Sequence, residues 1–345
     1  MTTIIILAAL FIFIATLLLV PLNMHFSIMH GIIAHPNERR IHKVSTPEAG
    51  GLSFALPIIL VQVLLALFTR GQEISRLYFE LSAVSVLALT FGLLDDRFET
   101  PARYKLIWQI ILGIIMYIIG YRVQYLTNPL GEHLILGWLS FPITVLWYVV
   151  VINAINLIDG MDGLAAGISA IVALVLLTVG ILEQHLLVIS LSSFLFAGLL
   201  GFLRYNFHPA KIFLGETGAQ YIALNIAAIS TAGVSQFKGI TSMTLIIPLA
   251  ALAIPFLDIL LAIFRRIRVG KIMSADKAHI HHTMLAFGLS QKSIAGIVYF
   301  ITFLFGLIAI GFSFTDKKVL FSLLLLLLAM AVIIAYLLMR KGQKP

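Results

Sequence analysis

Residues 139–182 read LSFPITVLWYVVVINAINLIDGMDGLAAGISAIVALVLLTVGIL. Two apolar runs, 139–157 and 164–182, flank six residues that carry Asp159, Asp162 and the glycines Gly160 and Gly163. A helix that crosses a bilayer needs about 20 mostly apolar residues, within a range of roughly 17–25. Each run meets that length, so the stretch predicts two antiparallel spans joined by a tight acidic turn at the membrane edge.

The same ruler applied outward gives further candidate spans near 3–22, 52–69, 79–94, 106–121, 186–203, 218–234, 241–264, 294–313 and 318–339, eleven in all, or ten where adjacent runs merge. The chain has 345 residues, of which 61% are hydrophobic and only 11% charged. An ordinary soluble domain has roughly 45–50% apolar and about 25% charged residues. No polar stretch is long enough for a separate water-soluble domain. The expectation is an all-α, polytopic transmembrane helical bundle, one domain over 1–345. The first run, Ile4 to Val20, lacks the positive segment that precedes a secretory signal and is read as a retained helix. Cysteine is absent, which excludes disulfides, thiolate metal sites and a cysteine nucleophile.

The net charge is +8, but the basic residues sit in short loops between apolar runs and no nucleic-acid-binding motif accompanies them. Sorted by side, 17 of the 23 Lys and Arg fall on one face and 6 on the other. The positive-inside rule makes the richer face cytoplasmic, with the N-terminus periplasmic and the C-terminus cytoplasmic. The residues able to do chemistry follow the same sorting. They gather in loops 95–105, 156–163, 204–218 and 265–293 on the basic face, at helix ends. A transporter more often places ionisable groups near the bilayer midplane on broken helices, so the pattern favours an enzyme at the cytoplasmic membrane surface over a transporter or flippase of lipid-linked anions.

Four segments carry the chemistry. Asp95 and Asp96 end an apolar run and are followed by Arg97; adjacent carboxylates can share a cation or supply a base, although a solvated helix end paired to Arg97 would look the same. Asn156, Asp159 and Asp162 recur every third residue, and if helical they would project from one side. The third segment, Arg204 to Gly218, includes Asn206, His208, Lys211 and Glu216 and resembles a loop turning into a helix, where Glu216 would also suit the helix dipole. The fourth holds Arg265, Arg266 and Arg268, then Asp276, His279, His281 and His282. Arginines there can clamp phosphates, and the histidines can bind an anion, move protons or ligate metal. No HExxH pattern exists, so a zinc protease finds no support. His25, His30, His35, His42 and His208 are read as interfacial or structural.

From Pro36 to His282, these segments in this order resemble the polyprenyl-phosphate N-acetylhexosamine-1-phosphate transferases. That family includes the MraY translocase and the WecA/TagO branch. Pro36-Asn37-Glu38-Arg39-Arg40, Leu94-Asp95-Asp96-Arg97, Tyr205-Asn206-Phe207-His208-Pro209-Ala210-Lys211 and the His279-Ile280-His281-His282 run lean to the WecA/TagO branch. The resemblance implies transfer of N-acetylglucosamine-1-phosphate, or a related sugar phosphate, from a UDP-N-acetylhexosamine to undecaprenyl phosphate. UMP is released, at the bacterial cytoplasmic (inner) membrane, as the first membrane step of an envelope polysaccharide; an MraY-like phospho-MurNAc-pentapeptide transferase is the neighbouring alternative. It implies Mg²⁺, with Mn²⁺ as a substitute, and allows a homodimer. It casts Asp95 as base on the lipid phosphate and Asp96 as support for metal or acceptor. Asp159 and Glu216 join Asp96 as metal ligands. Asn156, Asp162, Lys105, Asn206, Lys211, Arg266, His279, His281 and His282 become substrate contacts. Glu216 stands where the family has Asp, which keeps the carboxylate and extends it by one methylene.

Overall fold

The computed structural model describes residues 2–35, 45–68, 72–126, 134–236, 284–285 and 288–311, with five positions between 319 and 327. Among them run nine long helices: α1 (Thr2–Met29), α2 (Gly51–Phe68), α3 (Gln72–Phe98), α4 (Ala102–Ile118), α5 (Ser140–Ile158), α6 (Leu164–Leu182), α7 (Leu186–Asn206), α8 (Gly215–Gln236) and α9 (Gln291–Gly311). Each covers one expected span. The expected span 241–264 and most of 318–339 lie outside the described residues, as do Arg266, His279, His281 and His282. Seven of the helices are long and apolar enough to cross a membrane, so the chain is a multi-pass membrane protein.

Two boundaries move, with consequences for the site. Helix α3 runs on to Phe98 and α4 begins at Ala102, so the expected loop 95–105 shrinks to three residues and Asp95 and Asp96 belong to the last turn of α3. The all-α expectation also gains two short antiparallel ladders. Strand β1 (Ile33–Ala34) pairs with β2 (Thr46–Pro47), and β3 (Tyr125–Leu126) with β4 (Leu134–Ile135). The first ladder braces the connection from α1 to α2.

Helix α8 is the central post. It packs on α2, α3, α5, α6 and α7, and Tyr221 through Leu224 and Ile226 through Ile229 are completely buried. Being surrounded by protein, it can carry Gln220, Asn225, Ser230 and Thr231 without meeting lipid, provided their polar atoms find partners. Most do: Ser230 Oγ accepts from Trp147 Nε1 at 3.0 Å and donates to Ala227 O at 2.7 Å, and Asn225 Nδ2 donates to Tyr221 O at 2.9 Å. Backbones approach closely where α8 begins. A Cβ on Gly51 would lie 2.3 Å from Gly218 Cα, and one on Gly92 would lie 2.5 Å from Thr217 Cα. Three helices therefore meet at the N-terminus of α8 without intervening side chains, and small residues are what such contact requires.

Candidate active site

The helix ends that carry the acidic and basic residues converge on one cavity of about 1090 Å³. Its wall includes the ends of α3 and α5, the starts of α4 and α8, the α5–α6 turn, the α7–α8 connection, the segment before α2 and Gln291 at the start of α9. Pockets for one drug-sized ligand hold roughly 300–1,000 Å³, so this one lies just above that range. Every described residue expected at the site lines it: Asp95, Asp96, Lys105, Asn156, Asp159, Asp162, Asn206, Lys211 and Glu216.

Their roles differ from one another. Asp95 is buried; its Oδ1 accepts from Thr100 N at 2.7 Å, closing the turn into α4, and its Oδ2 lies 2.6 Å from Lys105 Nζ. Lys105 reaches Glu216 Oε1 at 2.6 Å as well. One ammonium thus ties α3, α4 and α8 together, and Asp95 gains a free oxygen for base chemistry only when that ammonium shifts.

Asp96 points the other way. Its Oδ1 accepts from Glu216 N at 2.7 Å, and its Oδ2 accepts from Thr217 N at 3.0 Å and from Thr217 Oγ1. The first N–H groups of a helix have no partner within it, and a carboxylate there also gains from the helix dipole. Asp96 therefore caps α8 from the neighbouring helix, which sets Glu216 at the cavity wall. Gly215, with φ +71°, leads into that cap; a Cβ there would sit 2.6 Å from Asp96 Oδ2 and 2.9 Å from Ala49 N.

Asn156, Asp159 and Asp162 do not share a helix face, contrary to the periodicity argument. Helix α5 ends at Ile158, Asp159 sits at its C-cap with ψ 43°, and Gly163, with φ 73°, starts α6. The two glycines break the helix where three-residue spacing alone would extend it. The acids still converge, because the turn folds over the cavity. Desolvation in the wall, and then the nearby charges of Glu216, Asp96, Glu48 and Asp162, push Asp159 well above the usual carboxylate range. Asp162 Oδ2 accepts from Ala210 N at 3.1 Å and pairs with His208 Nδ1 at 2.7 Å. Asn206 is buried, and its Nδ2 donates to Ile212 O at 2.9 Å, which pins the α7–α8 connection across its base. That bond gives Asn206 a structural duty besides the expected substrate contact.

Glu48, Glu99 and His208 line the wall without having been assigned a site role from the sequence. Glu48 gave no signal, being a lone acid beside the Thr46-Pro47 strand; its backbone is fixed by Ser27 Oγ donating to Glu48 O at 2.7 Å and by Glu48 N donating to Ile32 O at 3.0 Å. His208 did lie inside a quoted motif, where its neighbours Asn206 and Lys211 drew the attention.

Seven carboxylates line the cavity against two lysines and one histidine. That surplus of hard oxygen donors suits Mg²⁺, although the described residues hold no preassembled group of three ligands. Mg²⁺ is commonly bound through one or two carboxylates together with substrate phosphates, so the donor set fits an ion that arrives with its nucleotide. Of the five carboxylates expected at the site, Asp95, Asp96 and Asp162 each accept a backbone N–H. Asp159 and Glu216 are the two whose oxygens no backbone donor engages among the described bonds.

Residues 78–234 match the family described as Glycosyl transferase family 4. A Bacillus subtilis (strain 168) protein named as a probable undecaprenyl-phosphate N-acetylglucosaminyl 1-phosphate transferase is 34% identical over 323 residues, 92% of this chain and 87% of that protein. The chain belongs to glycosyl transferase family 4. A family member in Mycobacterium tuberculosis (strain ATCC 25618 / H37Rv), named decaprenyl-phosphate N-acetylglucosaminephosphotransferase, is 34% identical over 295 residues, covering 78% of this chain and 72% of its own. Another, from Caldicellulosiruptor bescii and named phospho-N-acetylmuramoyl-pentapeptide-transferase, is 27% identical over 329 residues, 89% and 96% of the two chains. Of these three, the two named for N-acetylglucosamine share the higher identity with the chain, 34% against 27%, as the motif details lead one to expect. The family match spans Asp95 through Glu216, and Glu48 and Gln291 fall outside it.

Proposed function

We propose that the protein transfers N-acetylglucosamine-1-phosphate from UDP-N-acetylglucosamine to undecaprenyl phosphate, releasing UMP, at the cytoplasmic face of the bacterial inner membrane. A phosphate oxygen of the lipid forms a bond to the sugar-linked phosphorus, and the bond from that phosphorus to the bridging oxygen breaks, with the electron pair leaving on UMP. One observation carries this reading: a cavity of about 1090 Å³ at the ends of membrane-spanning helices, lined by carboxylates and lysine. A lipid phosphate sits at headgroup depth, where those helices end, and a soluble nucleotide can enter the same opening.

Phosphoryl transfer between anions chiefly needs alignment and charge neutralisation. Asp159 and Glu216 would hold Mg²⁺, or Mn²⁺ in its place, which when bound supplies neutralisation of the diphosphate. Lys105, drawn from its carboxylates toward an arriving phosphate, frees Asp95 to accept a proton from the lipid phosphate. Lys211 faces the same space from the α7–α8 connection. Arg266, His279, His281 and His282 precede α9 in sequence, and α9 starts in the cavity wall, which supports their joining the diphosphate or the sugar.

The test is a purified-enzyme assay over UDP-N-acetylglucosamine, UDP-N-acetylgalactosamine and UDP-MurNAc-pentapeptide, with Mg²⁺ and Mn²⁺ compared. UMP is expected only when undecaprenyl phosphate and the N-acetylglucosamine donor are both present. Release from the pentapeptide donor alone would move the protein to the other branch, and no release from any donor would defeat the proposal. Asp95→Asn is expected to insert and fold yet lose at least about 100-fold in turnover, within the range for a removed proton-transfer group; near-normal turnover would remove Asp95 as the base.

A further inference from the structure

The cavity has a second charged centre, built on a histidine to which the family resemblance gives no role. Asp162 Oδ2 receives His208 Nδ1 at 2.7 Å and Ala210 N at 3.1 Å, so the ring and its loop are held by one carboxylate. His208 lines the cavity and its side chain is 38% exposed. Nδ1 is spent on Asp162, and no bond among the described residues engages Nε2. A carboxylate on Nδ1 fixes the orientation of an imidazole. The turn bearing Asp162 is itself anchored: Tyr299 Oη on α9 donates to Gly163 O at 2.6 Å, and the Phe207 and Tyr299 rings meet edge-on at 6.3 Å between centroids. Anchored from α6, α7 and α9, the pair is arranged before any ligand arrives.

Diphosphate needs donors, and the opposite pole cannot spare many. Lys105 is already shared between Asp95 and Glu216, whereas His208 spends only one nitrogen on the protein. We infer that His208, held by Asp162, is a phosphate-binding residue whose Nε2–H donates to a phosphate oxygen of the nucleotide donor. The inference rests on the proposed transferase reading for the identity of that donor.

Two amide substitutions separate holding from binding. The Nδ2 of His208→Asn can replace ring Nδ1 toward Asp162 but offers nothing at the Nε2 position; the longer His208→Gln places its amide nitrogen near Nε2 and gives up the bond to Asp162. UDP affinity is measured by calorimetry on the purified full chain, so that it does not depend on turnover, and KM for prenyl phosphate is measured alongside. His208→Asn is expected to keep the wild-type melting profile and weaken UDP binding about tenfold or more, the usual scale for a lost hydrogen bond to a charged group. His208→Gln is expected to recover part of the loss, and KM for prenyl phosphate to stay within about twofold in both, since neither touches the Lys105 pole. Wild-type UDP affinity in His208→Asn would reduce His208 to a support for Asp162 and overturn the inference. So would unchanged UDP affinity with a raised KM for prenyl phosphate, which would assign the contact to the lipid phosphate. A protein that binds UDP through His208 yet releases no UMP from any donor would defeat the proposed function and leave this contact standing.

Discussion

The two poles of the cavity hold charge in opposite ways. At one, a single ammonium, Lys105, is shared by two carboxylates, Asp95 and Glu216, each at 2.6 Å. At the other, a single carboxylate, Asp162, is shared by two donors, His208 Nδ1 and Ala210 N. The first pole is closed on itself and must open to act, because its cation and its acids neutralise one another. The second leaves Nε2 of His208 unengaged among the described residues. On the proposed function, the difference would separate a catalytic pole, whose groups the arriving phosphates release, from a binding pole that is already set.

The largest expected effect comes from breaking the closed pole. Lys105→Met leaves Asp95, only 3% exposed, facing Glu216 without a cation. Losing one partner of a buried pair costs about 3–5 kcal/mol, but Lys105 is 27% exposed, so solvent should reduce this to about 1–3 kcal/mol. Denaturant or thermal unfolding in detergent reads the loss, and turnover should fall with it. Adding Glu216→Gln should return part of the stability, as one of the two opposed charges is gone, while leaving turnover low. If the double variant is no more stable than Lys105→Met, the three groups are not coupled and the closed-pole description fails.

A smaller effect is expected at Asp96, and it distinguishes a cap from a ligand. Its two oxygens take three hydrogen bonds from the first residues of α8. Asp96→Ala should cost about 1–2 kcal/mol, the range for a lost N-cap, with the melting curve shifted equally in EDTA and in Mg²⁺. A melting curve that differs from wild type only when Mg²⁺ is present would make Asp96 a metal ligand first. Asp96→Asn should not rescue the cap fully, because one of its amide atoms would present N–H groups to an N–H of α8.

Much of this arrangement was legible in the sequence, and the gaps have physical causes. Apolar length alone located all nine described helices, and seven of them reach the length and apolarity that crossing a bilayer requires. What it cannot give is which helix is central. Only 22% of the most apolar window of α1 is buried, against 72% for α6 and α7, while α8, among the more polar helices, is enclosed. Hydropathy reports the solvent a helix could tolerate, and burial depends on its neighbours. At the site, the residue types were readable and their geometry was not. Asp95, Asp96 and Glu216 are each carboxylates at helix ends, yet one closes a turn, one caps a helix and one meets a lysine from 111 positions away. Three-residue spacing would put Asn156, Asp159 and Asp162 on one face only in a helix, and the turn that Gly160 and Gly163 signal is what forms. His208 was passed over because a single exposed histidine has no partner until the chain brings Asp162, 46 residues earlier, against it.

The smallest effect is expected at Asn206, which sits between the poles and tests whether the binding pole is truly set in advance. Its Nδ2 donates to Ile212 O at 2.9 Å, across the base of the connection that carries both His208 and Lys211. Asn206→Ala removes that bond and leaves a buried carbonyl with one donor fewer, a cost of about 0.5–1.5 kcal/mol in unfolding. If the bond's main consequence is to hold the loop, UDP affinity should weaken only about two- to threefold, through partial loss of the prearranged geometry and without loss of any direct contact. His208→Asn in the same background should then add less than its full single-variant effect, because the loop it relies on is already loosened. Strict additivity, with stability unchanged and UDP binding sharply reduced by Asn206→Ala alone, would instead make Asn206 a direct nucleotide contact, and the binding pole would extend one residue closer to Lys105.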